Sequence, residues 1–266
     1  MDFSKYLNSM YMLAAVLLLL VAASVSYARR VFPTNLVVAI TVAVIADSLL
    51  KKFYLKKELK FPYSAIISGT IIGSIAPFNT SVVVIIIAAL AAMISKFFIR
   101  LKGKHVFNPA TFGLLVSLLI FGFGDEWWAA TSFPFAGIAL TLTPLLIIAN
   151  WKADKLPVAI PFLLLTVMLN HFSGTFPFSL ENAYNFFISL PFYFAFIMVS
   201  EPKTSPFEKK EQIVFGIFVA ALTFVLGFYG VRYYFLLALL TGNFLYSIYR
   251  NYFSPEARST GQQLSQ

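Results

Sequence analysis

The sequence predicts an all-α polytopic membrane protein with about ten transmembrane segments, and three observations predict it. The 266 residues are 59% hydrophobic and only 12% charged, far more apolar than a soluble domain. Apolar segments recur along nearly the whole chain, at about 8–28, 32–50, 62–77, 80–99, 108–124, 134–149, 156–172, 182–200, 212–230 and 233–249. With ten spans, the amino terminus, the even-numbered loops and the carboxyl tail share one side. Every Lys and Arg then falls on that side except Arg29, Arg30 and Arg232. The positive-inside rule makes it the cytoplasmic side, with both termini there.

Each segment follows from its residues. Met10 to Ala28 is too long in its apolar core for a signal peptide, ends in Arg29-Arg30, and reads as a retained helix. The second segment holds Asp47, the one carboxylate well inside an apolar run, four residues before Lys51. That spacing predicts an interfacial ion pair, with an ion pathway as the alternative. In the third, "PYSAIISGTIIGSIAP", Ala65, Gly69 and Gly73 recur every fourth residue and make one slim face, while Ser64, Ser68, Thr70 and Ser74 add hydroxyls. Close helix packing is the first reading and a ligand wall the second. The third, fifth and sixth segments fall short of the roughly 20 residues that cross a bilayer, which suits half-helices or re-entrant pieces covered by protein.

The fifth segment opens with "KGKHVFNPATFGLL". Asn108 is a good N-cap and Pro109 suits the first helical turn. Ala110 and Gly113 keep that turn slim, so another backbone or a flat ring can approach. A helix N-terminus beside Lys102, Lys104 and His105 favours an anionic group; the plain alternative is a capped transmembrane helix. After the eighth segment, "SEPKTSPFEKK" makes a proline-fixed corner in which Glu201, Lys203, Thr204 and Ser205 lie on the same side as Asn108. The chain therefore divides into one integral membrane domain, 1–249, with approximate halves 8–124 and 134–249, and a polar cytoplasmic tail, 250–266.

Absences narrow the chemistry. Without cysteine there is no disulfide, thiolate nucleophile or Cys-ligated iron–sulfur cluster. His105 and His171 fall on opposite sides and cannot share one haem across ~30 Å of hydrocarbon. A metal site of ordinary ligand number is not expected. The net charge of +9 is explained by orientation and anionic lipid, not by nucleic acid.

Taken in order, "FPYSAIISGTIIGSIAP", "FFIRLKGKHVFNPATFGLL", a paired "WW" and "EPKTSP" resemble the RnfD/NqrB family. These are membrane subunits of the Rnf electron-transport complex and of the sodium-pumping NADH:quinone oxidoreductase. The likeness runs from about residue 10 to 249, and the Asn-Pro-Ala-x-x-Gly and Glu-Pro-x-Thr-Ser-Pro elements are its specific parts. It implies a ten-helix fold of two inverted five-helix halves, similar in outline to ammonium and urea transporters. It also implies a place in a prokaryotic inner-membrane redox complex that couples flavin electron transfer to ion transport. Family members carry a Ser-Gly-Ala-Thr motif whose threonine holds FMN covalently. Here that region reads "GDEWWAATSFP"; Thr131 is a weak candidate, and Thr175 of a later "SGT" lies in the wrong loop. No covalent FMN is expected.

The expected function is thus a subunit of an oxidoreductase (translocase) complex, not a self-sufficient enzyme. Asn108, Pro109, Gly113 and the Glu201, Lys203, Thr204 and Ser205 corner are expected to form one cytoplasmic-side pocket for a non-covalent flavin (FMN or riboflavin) or a quinone. Partners would be the bilayer and other membrane and soluble redox subunits. A passive transporter or channel of the same fold, or an anchor for soluble redox partners, are the alternatives.

Overall fold

Small residues set how closely these helices approach, and asparagines close their ends. The computed structural model describes residues 32–254, without 59, 123, 126, 128–135 and 175–189, and gives the backbone alone at 136–143 and 190. The retained helix expected over 8–28 lies outside the described residues.

The described residues form helices α1 Thr34–Leu49, α2 Tyr63–Ile75, α3 Val82–Phe98, α4 Pro109–Phe121, α5 Ala136–Lys152, α6 Leu156–Phe172, α7 Leu190–Tyr193, α8 Lys209–Phe228 and α9 Tyr234–Ile248. Between α3 and α4, strands β1 Arg100–Leu101 and β2 Lys104–His105 pair antiparallel, with Arg100 opposite His105. The all-α expectation holds. One described helix, α8, is long and apolar enough to cross a membrane; α2, α3, α4 and α6 are apolar but shorter. Three helices continue as π-helix: α1 over Leu50–Tyr54, α7 over Phe194–Val199 and α9 over Tyr249–Phe253. These turns extend the 16 residues of α1 and the 15 of α9 by five each.

Packing follows one order in both parts of the chain. Helix α1 lies on α2 and α3, and α3 on α4; α6 lies on the π-helical run after α7 and on α8, and α8 on α9. The slim face of α2 is a packing face, as its spacing predicts. A Cβ at Gly69 would stand 2.6 Å from the Ile40 Cα of α1, and one at Gly73 would stand 2.5 Å from the Leu36 Cα. Gly113 of α4 sits against the Ala88 carbonyl and Ala92 of α3, so here another backbone, and not a flat ring, makes the approach. Gly216 of α8 meets the Val158 carbonyl of α6 in the same way.

The buried hydroxyls are mostly satisfied within their own helices. Ser68, Thr70, Ser74, Ser95, Ser117 and Thr223 donate back to carbonyls three or four residues earlier. Ser74 also meets the Tyr193 hydroxyl at 3.0 Å, joining α2 to α7. Helix ends need partners from elsewhere, since their last carbonyls have none in the helix. The Asn35 amide donates to Pro77 and Phe78 beyond α2, and the Asn150 amide to Phe196 within the π-helical run. Between these polar joints lies an aromatic core in which Phe194 touches Phe162, Trp127 and Phe235. The outer faces are apolar: Ile45, Val83, Ile94, Leu119, Leu164 and Val214 are all exposed.

The α3–α4 crossing yields a direct test. Gly113→Ala drives a methyl into the Ala88 carbonyl and should cost about 1–3 kcal/mol by overpacking. Gly124→Ala, which meets nothing within 4 Å, should be near neutral. Apparent melting temperatures of the two purified variants check the contrast.

Candidate functional site

The two sequence elements expected to meet do meet, through a residue neither contains. Asn108 caps α4 as predicted: its side-chain oxygen accepts the Thr111 N–H at 3.0 Å, and Pro109 takes the first helical position. Its own N–H donates to Asn243 Oδ1 of α9 at 3.0 Å, across 135 residues of sequence. The Asn243 amide then donates to the Thr204 carbonyl at 3.3 Å, and the Asn108 amide to the Met198 carbonyl at 3.5 Å. The start of α4, the middle of α9 and the Glu201–Pro206 corner are thereby one buried node. Sequence reasoning misses Asn243; an amide deep in the last apolar segment is the signal that points to it, without naming its partners.

Within the corner the hydroxyls turn inward. Thr204 Oγ1 donates to Glu201 Oε2 at 2.9 Å, and Ser205 Oγ to the Glu201 carbonyl at 2.7 Å. Backbone N–H groups of Thr204 and Ser205 donate to the same carbonyl. Burial pushes the Glu201 carboxyl above the usual carboxylate range, with the Thr204 hydroxyl and the Lys203 charge pulling the other way. Of the polar side-chain atoms at the start of α4, Thr111 Oγ1 is buried without a hydrogen-bond partner. Beside the node lies an aromatic face: Phe107 stacks on Phe112 and on Phe244, whose ring is exposed. A flat ring would use that face, since most hydrogen-bonding groups of the node are already spent. Of the remaining expected site residues, Gly113 belongs to the α3–α4 crossing and Lys203 lines a separate cavity. Thr131 and Thr175 lie outside the described residues.

Two lysines that charge asymmetry counts as loop cations, Lys96 and Lys155, are buried. Lys96, in the last turn of α3, reaches Asp47 of α1 at 2.6 Å, and Lys51 reaches the same carboxylate at 2.5 Å. The predicted Asp47–Lys51 pair is present, and Lys96 makes it a joint between α1 and α3. Lys155, just before α6, is 2% exposed. Its ammonium donates to the Pro206 carbonyl at 2.5 Å and lies 4.7 Å from the Phe207 ring centre, which pins the corner to α6. Burial pushes its pKa down to about 7 despite the favourable charges of Asp154 and Glu201.

Among the described residues no group of three His, Cys, Asp or Glu side chains is placed to hold a metal ion. No protein-family model matches the chain, and no curated protein matches it.

Removing the Asp47 charge should strand a buried cation. Asp47→Asn is expected to cost about 3–5 kcal/mol, and the double variant Asp47→Leu/Lys96→Met to recover most of that loss. Denaturation of the two variants beside wild type measures both quantities.

Lys155 sets a pH dependence. The unfolded chain keeps this proton up to about pH 10.5 and the folded chain releases it near 7, so unfolding takes up a proton between those values. Stability should therefore rise with pH across that window. In Lys155→Met the rise in apparent melting temperature between about pH 7 and 9.5 should be flatter.

Proposed function

We propose that the chain is a membrane subunit of a redox-driven electron-transport complex that binds a flavin or quinone non-covalently on its cytoplasmic side. The observation that carries this reading is the Asn108–Asn243–Thr204 node. The Asn-Pro-Ala-x-x-Gly element and the Glu-Pro-x-Thr-Ser-Pro element, which carry the resemblance to the RnfD/NqrB family, are the two that Asn243 ties together. Generic membrane sequence gives no reason for two distant elements to share one polar joint.

Three further features support the setting. Apolar outer faces around an interior of buried Asn, Ser and Thr suit a lipid solvent better than water. The recurring order of packing, α1 to α4 and then α6 to α9, supports two related halves. The short α2 and α4 are covered by neighbours, which is where a bilayer tolerates half-helices.

A bound flavin or quinone would supply the electron-carrying ring; the chain's part is to hold it. The N-terminus of α4 favours negative charge on that ring, and Phe107 and Phe244 offer it an apolar stacking face. The Thr111 hydroxyl, beside the Asn108 cap, is buried without a hydrogen-bond partner. Asp47, held by two ammonium groups, serves as a helix joint, and the geometry gives an ion pathway there no added support.

The test is spectroscopic. Full-length protein extracted from membranes in detergent should show flavin absorbance that leaves with small molecules on denaturation, or an extractable quinone. Phe244→Leu, at an exposed position, should lower occupancy with little change in melting temperature. A colourless, quinone-free protein would overturn the redox reading and leave the transporter or anchor.

A further inference from the structure

A group of basic side chains gathers around a cavity beside the proline corner. This cavity of about 500 Å³ opens between the segment after α1, the β1–β2 hairpin and the proline corner. Lys51, Lys57 and Lys60 line it from the first, Arg100 from the second and Lys203 from the third. Glu58 is the carboxylate in the same lining. Lys51 and Lys96, which also reach the cavity, share the single carboxylate of Asp47 behind it. Among the described residues, Lys57, Lys60, Arg100 and Lys203 have no carboxylate within ion-pair distance, although Glu201 and Asp47 act on Lys203 from farther away.

The hairpin wall is fixed. Lys102 donates to the Asn251 carbonyl at 2.8 Å, and Arg250 to the His105 carbonyl at 3.3 Å, so the hairpin is tied to the π-helical end of α9. His105 hydrogen-bonds the Lys96 backbone and leaves Nδ1 buried without a partner. Burial, helped by the charges of Lys203, Arg100 and Lys96, holds this imidazole neutral, with its pKa pushed down to about 3. Neutral imidazole at the wall spares one more positive charge in an already crowded place.

Cations gathered from three segments around one cavity repel each other unless an anion joins them. Asp47, Glu58 and Glu201 are three carboxylates against the six cations Lys51, Lys57, Lys60, Lys96, Arg100 and Lys203, which leaves a surplus of positive charge. A phosphate offers several oxygens that accept from several lysines at once, and Arg100 can grip two of them. The volume admits a phosphate together with the group that bears it.

We propose that this cavity binds a phosphate-bearing ligand, either the head of an anionic phospholipid or a soluble phosphate ester. The site is independent of the redox reading and needs no electron transfer.

Full-length protein in a non-ionic detergent is titrated while its melting temperature is followed. The lipid arm compares phosphatidylglycerol with phosphatidylcholine in mixed micelles. The soluble arm compares inorganic phosphate and ADP with chloride at equal ionic strength. At least one phosphate probe is expected to stabilise the protein saturably. Its affinity should fall about tenfold in Arg100→Gln and in Lys203→Gln, one charged contact each. Lys152→Gln and Lys209→Gln, basic positions outside the cavity, should bind as wild type. Saturation by phosphatidylglycerol alone identifies a lipid head, by phosphate or ADP alone a soluble ester, and by both the shared phosphate chemistry. If no phosphate probe stabilises the protein, or if the control variants weaken binding as much as the cavity variants, the proposal fails.

Discussion

A short helix in apolar surroundings must finish its hydrogen bonds with groups from elsewhere, and this constraint organises the molecule. Helices α2 and α4 have 13 residues each, about 20 Å of rise, so their ends cannot all reach water if the fold sits in a bilayer. Asparagine meets the need because one side chain both donates and accepts. Asn35 serves the carbonyls beyond α2, Asn150 the π-helical run, and Asn108 and Asn243 the start of α4 and the corner facing it. The joints of the fold and the ends of its broken helices are the same places.

Local physics was legible in the sequence. The Asn108 cap, Pro109 at the first position and the slim face of Gly69 and Gly73 each depend on neighbours within a turn or on the space a missing side chain leaves. Partners far along the chain were not legible. Lys96 and Lys155 sit at segment edges, where charge asymmetry counts them as loop cations, yet each turns inward to an acceptor on another element. Asn243 gives no sign in sequence of which chain end it will meet. The hydroxyls of Thr204 and Ser205 looked available to a ligand, but a carboxylate and a carbonyl three and four residues back compete for them and win.

The cytoplasmic face predicted from charge is accordingly not uniform. One part of it spends its polar groups on structure and presents aromatic rings beside the node. Another keeps its cations apart in a cavity braced by a tied hairpin. Lys203 lines the cavity while the Glu201 carboxylate accepts from Thr204 within the corner, yet the two charges still act on each other, so the corner joins the two parts.

The π-helical run over Phe194–Val199 has an arithmetic consequence. Winding of this kind takes up roughly one residue more than an α-helix of the same rise. Without that surplus, everything after Val199 would rotate by about 100°. Thr204 would swing away from Asn243, and Lys203 away from its cavity. The aim of the corner is therefore set by the pitch of the segment that precedes it. A one-residue deletion there would break the Asn243–Thr204 hydrogen bond and move Lys203 out of its cavity at once.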